Sequence, residues 1–142
     1  MVRKFRAEDL EAVMDIWLET NKKAHSFIDA QYWTKHYETV KALLPQAELY
    51  VFENDHTGQT EGFIGLTDEY MEGIFVREAV QSQGIGRQLL DEVKRRKSRL
   101  SLSVYEKNTR AVSFYEREQF RIQSENVEEG TGEKEFLMVW NV

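Results

Sequence analysis

The segment Gln81-Ser82-Gln83-Gly84-Ile85-Gly86-Arg87 carries the residues of this chain most suited to holding a ligand. It follows the apolar run Gly73-Ile74-Phe75-Val76, which reads as a buried strand. It precedes Ile85, Leu89, Leu90 and Val93, which recur at helical spacing. A strand that turns through such a loop into a helix aims several unpaired backbone N–H groups, at the positive end of the helix dipole, into one small volume. Phosphate oxygens suit that volume. The two glycines let the backbone approach an anion with no Cβ between them.

Three kinds of phosphate loop compete for this pattern. A P-loop needs Lys then Ser or Thr after its last glycine, and Arg87-Gln88 stands there instead. A dinucleotide fingerprint needs Gly or Ala three residues past the second glycine, where this chain has Leu89. What is left, Gln-x-x-Gly-x-Gly, resembles the acetyl-coenzyme A loop of the GNAT superfamily of N-acetyltransferases. A second stretch, from Leu102 through Asn108, Ala111, Phe114 and Tyr115 to Phe120, is similar to the other signature of that superfamily: a strand that delivers Asn, then a short helix with Ala and Phe-Tyr. Gln119 stands where the signature has glycine, so the helix is expected to end without its usual left-handed glycine. The two signatures lie in the expected order, roughly twenty residues apart. Trp17, Ala24-His25-Ser26-Phe27-Ile28 and Trp33 add a likeness to the short bacterial members of the YiaC type.

The resemblance implies a splayed sheet whose gap admits the pantetheine arm. It assigns the cofactor to Ile74, Phe75 and Val76 of the strand, to Gln81 through Arg87 of the loop, and to Asn108 and Tyr115. A backbone N–H near Val76 would polarise the thioester carbonyl. Tyr115 is the candidate general acid, because a phenol with a pKa of about 10 stays protonated at neutral pH and can donate to a leaving thiolate; packing beside Phe114 is the alternative. Asn108 could equally be a plain N-cap. Glu72, two positions from Ile74, is the candidate base, with Glu69, Asp68, Glu106 or solvent as rivals. His25 and Phe27 are placed at the acceptor site with Tyr70, although His25 could instead satisfy a buried backbone group. The implied reaction is direct transfer of acetyl from acetyl-coenzyme A to an amine in a ternary complex. Protein lysine is the first acceptor and a small-molecule amine the second. A non-catalytic acyl-coenzyme A sensor is the rival class.

Composition sets the remaining bounds. A chain of 142 residues is read as one domain, 1–142, and buries about two-thirds of its extended surface. With no cysteine there is no disulfide or thiol nucleophile, and no cluster has metal-ligand spacing. A formal net charge of −6 argues against nucleic acid as a partner. No run approaches transmembrane length and Met1-Val2-Arg3-Lys4-Phe5 lacks a leader's apolar core, so no membrane partner and a cytoplasmic location are expected, as monomer or homodimer. The periodicities give a mixed α/β domain in the order β-α-α-β-β-β-α-β-α-β-β. Leu10, Val13, Met14, Trp17 and Leu18 form the face of the first helix. Leu100, Leu102 and Val104 alternate with Ser101 and Ser103, a strand with one polar face.

Overall fold

The computed structural model describes residues 1–142. The strands are β1 (Val2–Lys4), β2 (Glu48–Glu53), β3 (Thr60–Thr67), β4 (Tyr70–Val76), β5 (Arg99–Tyr105), β6 (Arg121–Val127) and β7 (Lys134–Asn141). The helices are α1 (Leu10–Ala24), α2 (Ala30–Leu43), α3 (Ile85–Lys94) and α4 (Thr109–Arg117), so the element order is the one the periodicities give. One seven-stranded sheet runs β1-β2-β3-β4-β5-β7-β6. Helices cover it on both faces. Ile85, Leu89, Leu90 and Val93 of α3 and Tyr115 of α4 pack with Ile64, Leu66, Met71, Leu102 and Val104 on one side. Val13, Met14, Ile16 and Trp17 of α1 and Trp33 of α2 pack with Leu49, Val51, Phe63 and Tyr105 on the other.

The apolar stripe of α1 differs slightly from expectation: Ile16 is buried, while Leu10 and Leu18 sit at its rim. The start of α1 is fastened to β1 by Arg3, whose guanidinium donates to both oxygens of buried Asp9 at 2.8 and 2.9 Å. That pairing holds the Asp9 carboxyl below its ordinary range against the opposing cost of burial.

The feature that matters for function is the central seam. β4 and β5 pair in parallel only at Tyr70–Ser101 and Met71–Leu102, and then they diverge. A bulge in β4 helps to part them: Gly65 faces Gly73 while Leu66 faces Met71, so Glu72 is the extra residue. Gly73 has φ +155°, and a Cβ there would lie 2.6 Å from the ring of Phe75, so no side chain is tolerated at this point.

The end of α4 resolves the missing glycine. Gln119 itself adopts φ +75°, and Phe120 N–H reaches back to the carbonyl of Tyr115 at 2.9 Å. The left-handed turn forms without glycine, at a strain of about 1 kcal/mol.

Candidate active site

Above the point where β4 and β5 part, a groove of about 1030 Å³ opens between α1, β4, the loop before α3, and α4. Its β4 wall is Ile74, Phe75 and Val76, and the strand's hydrogen bonding explains what that wall offers. Arg77 N–H donates to Glu61 at 2.9 Å, which makes Glu61–Arg77 a bonded pair of the antiparallel ladder with β3. Alternation then pairs Phe63 with Phe75 and turns the main-chain groups of Ile74 and Val76 away from β3, into the split. The Val76 carbonyl accepts from the Gln81 side chain at 2.9 Å.

The loop forms the groove's second wall. Gly84 has φ +85°, at the N-cap of α3, a conformation that side chains resist. A Cβ on Gly84 would meet nothing within 4 Å, whereas one on Gly86 would lie 3.6 Å from Phe114 and 3.8 Å from Ile74, inside the groove. Ile85 is buried beneath the loop, and Arg87 projects from α3 with its side chain 71% exposed, 3.9 Å from Glu118. Ser82 lines the groove, while Gln83 points to solvent and does not. Sequence reasoning missed Arg110. Its guanidinium donates to Gln81 Oε1 at 2.6 Å and to Ser82 Oγ at 2.8 Å, clasping the loop to the start of α4. Ser82 holds φ +66° within that clasp. Nothing in the sequence apart from its place two residues after Asn108 marks Arg110.

Asn108 does two things at once. Its Oδ1 accepts from Ala111 N–H at 3.3 Å, capping α4, and its Nδ2 donates to His25 Nε2 at 3.2 Å. The helix that carries Phe114 and Tyr115 is thereby tied to the junction of α1 and α2. With Nε2 accepting, the proton of neutral His25 lies on Nδ1, which is buried with no partner. Burial lowers the imidazole to about 4, opposed by the charge of Glu128. His25 therefore stays neutral at physiological pH and is a poor base for an amine. It packs edge-on to Tyr105 (4.9 Å between centroids) and Phe27 (5.8 Å).

Tyr115 is 6% exposed on the groove's α4 wall. Burial pushes its phenol well above the ordinary range, with a main-chain hydrogen bond at Ile74 and the nearby Tyr70 as smaller influences. Its hydroxyl therefore stays protonated at neutral pH and lies beside the Ile74 main chain.

Tyr70, Glu72 and Phe27 do not line this groove. They belong to the sheet face that carries α1 and α2. Phe27 packs into the core beneath those helices, with the Lys107 ammonium 5.5 Å from its ring centre. Exposed Glu72 accepts from the Thr67 hydroxyl at 3.1 Å, and a Cβ built on Gly65 would lie 3.9 Å from its own Cβ. Half-buried Tyr70 has its phenol raised by burial, countered by a hydrogen bond with Ser103, and raised further by the charges of Glu72 and Glu135. Tyr70 and Glu72 thus face away from α3 and α4, on the side of the sheet that carries Ser101 and Ser103. Sequence reasoning also missed the turn between β6 and β7, where Glu128 accepts from Tyr105 at 2.6 Å and Thr131 at 2.8 Å. No group of three or more His, Asp or Glu side chains is placed to hold a metal ion, and no helix is long and apolar enough to cross a membrane.

The basic run near the end of α3 is engaged within the chain. Lys94 caps the end of α4 through the Glu118 carbonyl at 2.6 Å, Arg95 and Arg96 pair with Glu92, and Lys97 pairs with Glu48.

Comparison with known proteins agrees with this architecture. The chain is 32% identical to the peptidyl-lysine N-acetyltransferase YiaC of Escherichia coli, over 100% of its own length and 97% of the relative's. It is 33% identical to the peptidyl-lysine N-acetyltransferase YjaB of Salmonella typhimurium, over 85% of this chain and 83% of that one. The solution structure of apo YjaB from Escherichia coli superposes with a TM-score of 0.87 at 28% identity, covering 99% of this chain and 96% of the other. Residues 45–122, which span β2 to the start of β6, match the acetyltransferase (GNAT) domain family. The chain belongs to the GNAT family of acetyltransferases.

Proposed function

We propose that this protein transfers the acetyl group of acetyl-coenzyme A to the side-chain amine of lysine in proteins or peptides. The donor fits the groove. Loop N–H groups from Gly84 to Arg87, with the exposed guanidinium of Arg87, suit the pyrophosphate. The main-chain groups of Ile74 and the N–H of Val76, turned into the split, suit the amides of the pantetheine arm, the Val76 carbonyl being taken by Gln81. The observation that carries the reading is the approach of the buried Tyr115 phenol to the Ile74 main chain where β4 turns away from β3, an arrangement that suits a proton donor and an oxyanion donor acting on one thioester. Lysine is favoured as acceptor because two relatives above 30% identity bear the name peptidyl-lysine N-acetyltransferase.

In the proposed step the neutral amine attacks the thioester carbonyl. A C–N bond forms, the C–S bond breaks, and the carbonyl oxygen is stabilised meanwhile by the backbone N–H of Ile74 or Val76. Tyr115 gives its proton to the departing sulfur. Glu72, turned by the bulge toward the face of the sheet that carries α1, takes the amine's proton through water, since one carboxylate oxygen is held by Thr67 and the other is free. No residue on the groove is needed as an acyl carrier. His25, Phe27 and Tyr70 wall the path of the acceptor.

The test is incubation with acetyl-coenzyme A and a lysine peptide, read by mass spectrometry and by release of free thiol. Acetylation confined to a small-amine panel would shift the acceptor class. Cofactor binding with no transfer to any amine would favour the sensor reading.

A further inference from the structure

β5 is an interior strand, flanked by β4 and β7, yet Ser103 at its centre is exposed and Ser101 is only half-buried. Interior strands are ordinarily covered on both faces. Here α1 stands over β3 and β4, α2 packs against α1, and β5 is covered on this face only at Tyr105, so Ser101 and Ser103 are left open beside the split. Leu137, directly opposite Ser103 on β7, is half-buried on the same face, and Tyr70 stands at its β4 edge. The floor is thus a strip of small polar and aliphatic surface that an alkyl side chain could cross.

Carboxylates flank this floor from both sides of the split. Glu72 stands on β4. Glu135 stands on β7, opposite Tyr105 in the register and so on the same face. Asn126 donates to Glu135 Oε1 at 2.7 Å, which orients the carboxylate. Its other oxygen has no partner in the chain, and none of its contacts is a cation, unlike Glu133, which pairs with Lys107. By strand alternation the cations of this face, Arg99 and Arg121, lie at the far end of β5 and β6.

We propose that the open face of β5 is the acceptor platform and that Glu135 is a specificity-determining residue, selecting peptides with a Lys or Arg near the acetylated lysine. The inference rests on the lysine-acceptor reading and names what that acceptor carries. The reacting amine must be neutral at transfer, so it cannot keep an ion pair throughout; a neighbouring cation can. β4 and β7 are two strand spacings apart, roughly 10 Å and more where the strands splay. An extended peptide advances ~3.3–3.6 Å per residue, so the selected cation stands roughly two to three residues from the target lysine.

The experiment compares two peptides, identical except for Arg or Ala at the second and third positions from a single lysine, on wild type, Glu135→Gln and Glu135→Asp. Wild type should favour the Arg peptide roughly two- to fivefold in kcat/KM, the range of one partly exposed ion pair, and less so at high salt. Glu135→Gln should lose most of that preference while acetylating the Ala peptide as wild type does. Glu135→Asp should retain it, which a folding defect would not allow. Binding of both peptides, measured by calorimetry in the presence of coenzyme A, reads the same ratio without turnover. Equal ratios in wild type and Glu135→Gln would overturn the assignment of Glu135 and leave the acetyltransferase reading standing. A binding ratio that depends on Glu135 with neither peptide acetylated would instead sink lysine transfer.

Discussion

Replacing Asn108 with Ala removes two interactions that the structure prices separately. The first is the cap on α4: Oδ1 of Asn108 satisfies Ala111 N–H, and loss of such a cap costs about 1 kcal/mol. The second is the donor to His25 Nε2, whose acceptor is then left without a partner at the edge of an aromatic cluster. An unsatisfied buried acceptor costs ~1–3 kcal/mol, and the low end applies because Asn108 is only half-buried. Asn108→Ala should therefore lose about 2 kcal/mol, against a total stability of ~5–15 kcal/mol for a domain of this size. Asn108→Ser keeps the cap and lacks the reach to His25, so it should lose about half as much. Urea unfolding at neutral pH, followed by circular dichroism, measures both. A loss below about 0.5 kcal/mol in Asn108→Ala would refute the reasoning. Full recovery in Asn108→Ser would refute the His25 half of it.

Three further outcomes follow from particular residues. Gly86→Val places its side chain against Phe114 and Ile74 inside the groove, so acetyl-coenzyme A affinity by calorimetry should fall tenfold or more with the fold intact; unchanged affinity would take the loop out of the site. His25 titrates near 4 in the folded chain and near 6.5 unfolded, so the unfolded state binds the extra proton between those values; stability should fall by roughly 3 kcal/mol from pH 7 to pH 4, and His25→Leu should flatten that part of the profile. Gln119→Gly relieves the left-handed strain at the end of α4 and, less the added freedom of the unfolded chain, should stabilise by about 0.5–1 kcal/mol in urea; no gain would mean the turn is unstrained.

The order of elements was legible because each strand and helix announces its own period. Val13, Met14 and Trp17 mark the inner face of α1, and Leu100, Leu102 and Val104 that of β5. The loop was legible because Gly84 and Gly86 have few other uses between a strand and a helix. Long-range partners left no such trace. Arg110 reaches Gln81 and Ser82 across the groove, and His25 meets Asn108 from a distance of 83 residues in sequence. Sequence makes Glu72 the candidate base, but the bulge that turns it out of the groove depends on the pairing of β3 with β4. The alternation of Ser101 and Ser103 was visible as a polar face. Which helices leave that face open is set by tertiary packing.

Turnover of Tyr115→Phe tests the account most directly. The substitution keeps the buried ring and removes only the hydroxyl, so acetyl-coenzyme A affinity should change little while the rate of transfer to a lysine peptide falls ~10²–10⁴-fold. That split, measured by calorimetry and by thiol release on the same preparation, is what a proton donor at the split sheet predicts. Turnover near the wild-type rate would contradict it and leave Tyr115 as a packing residue.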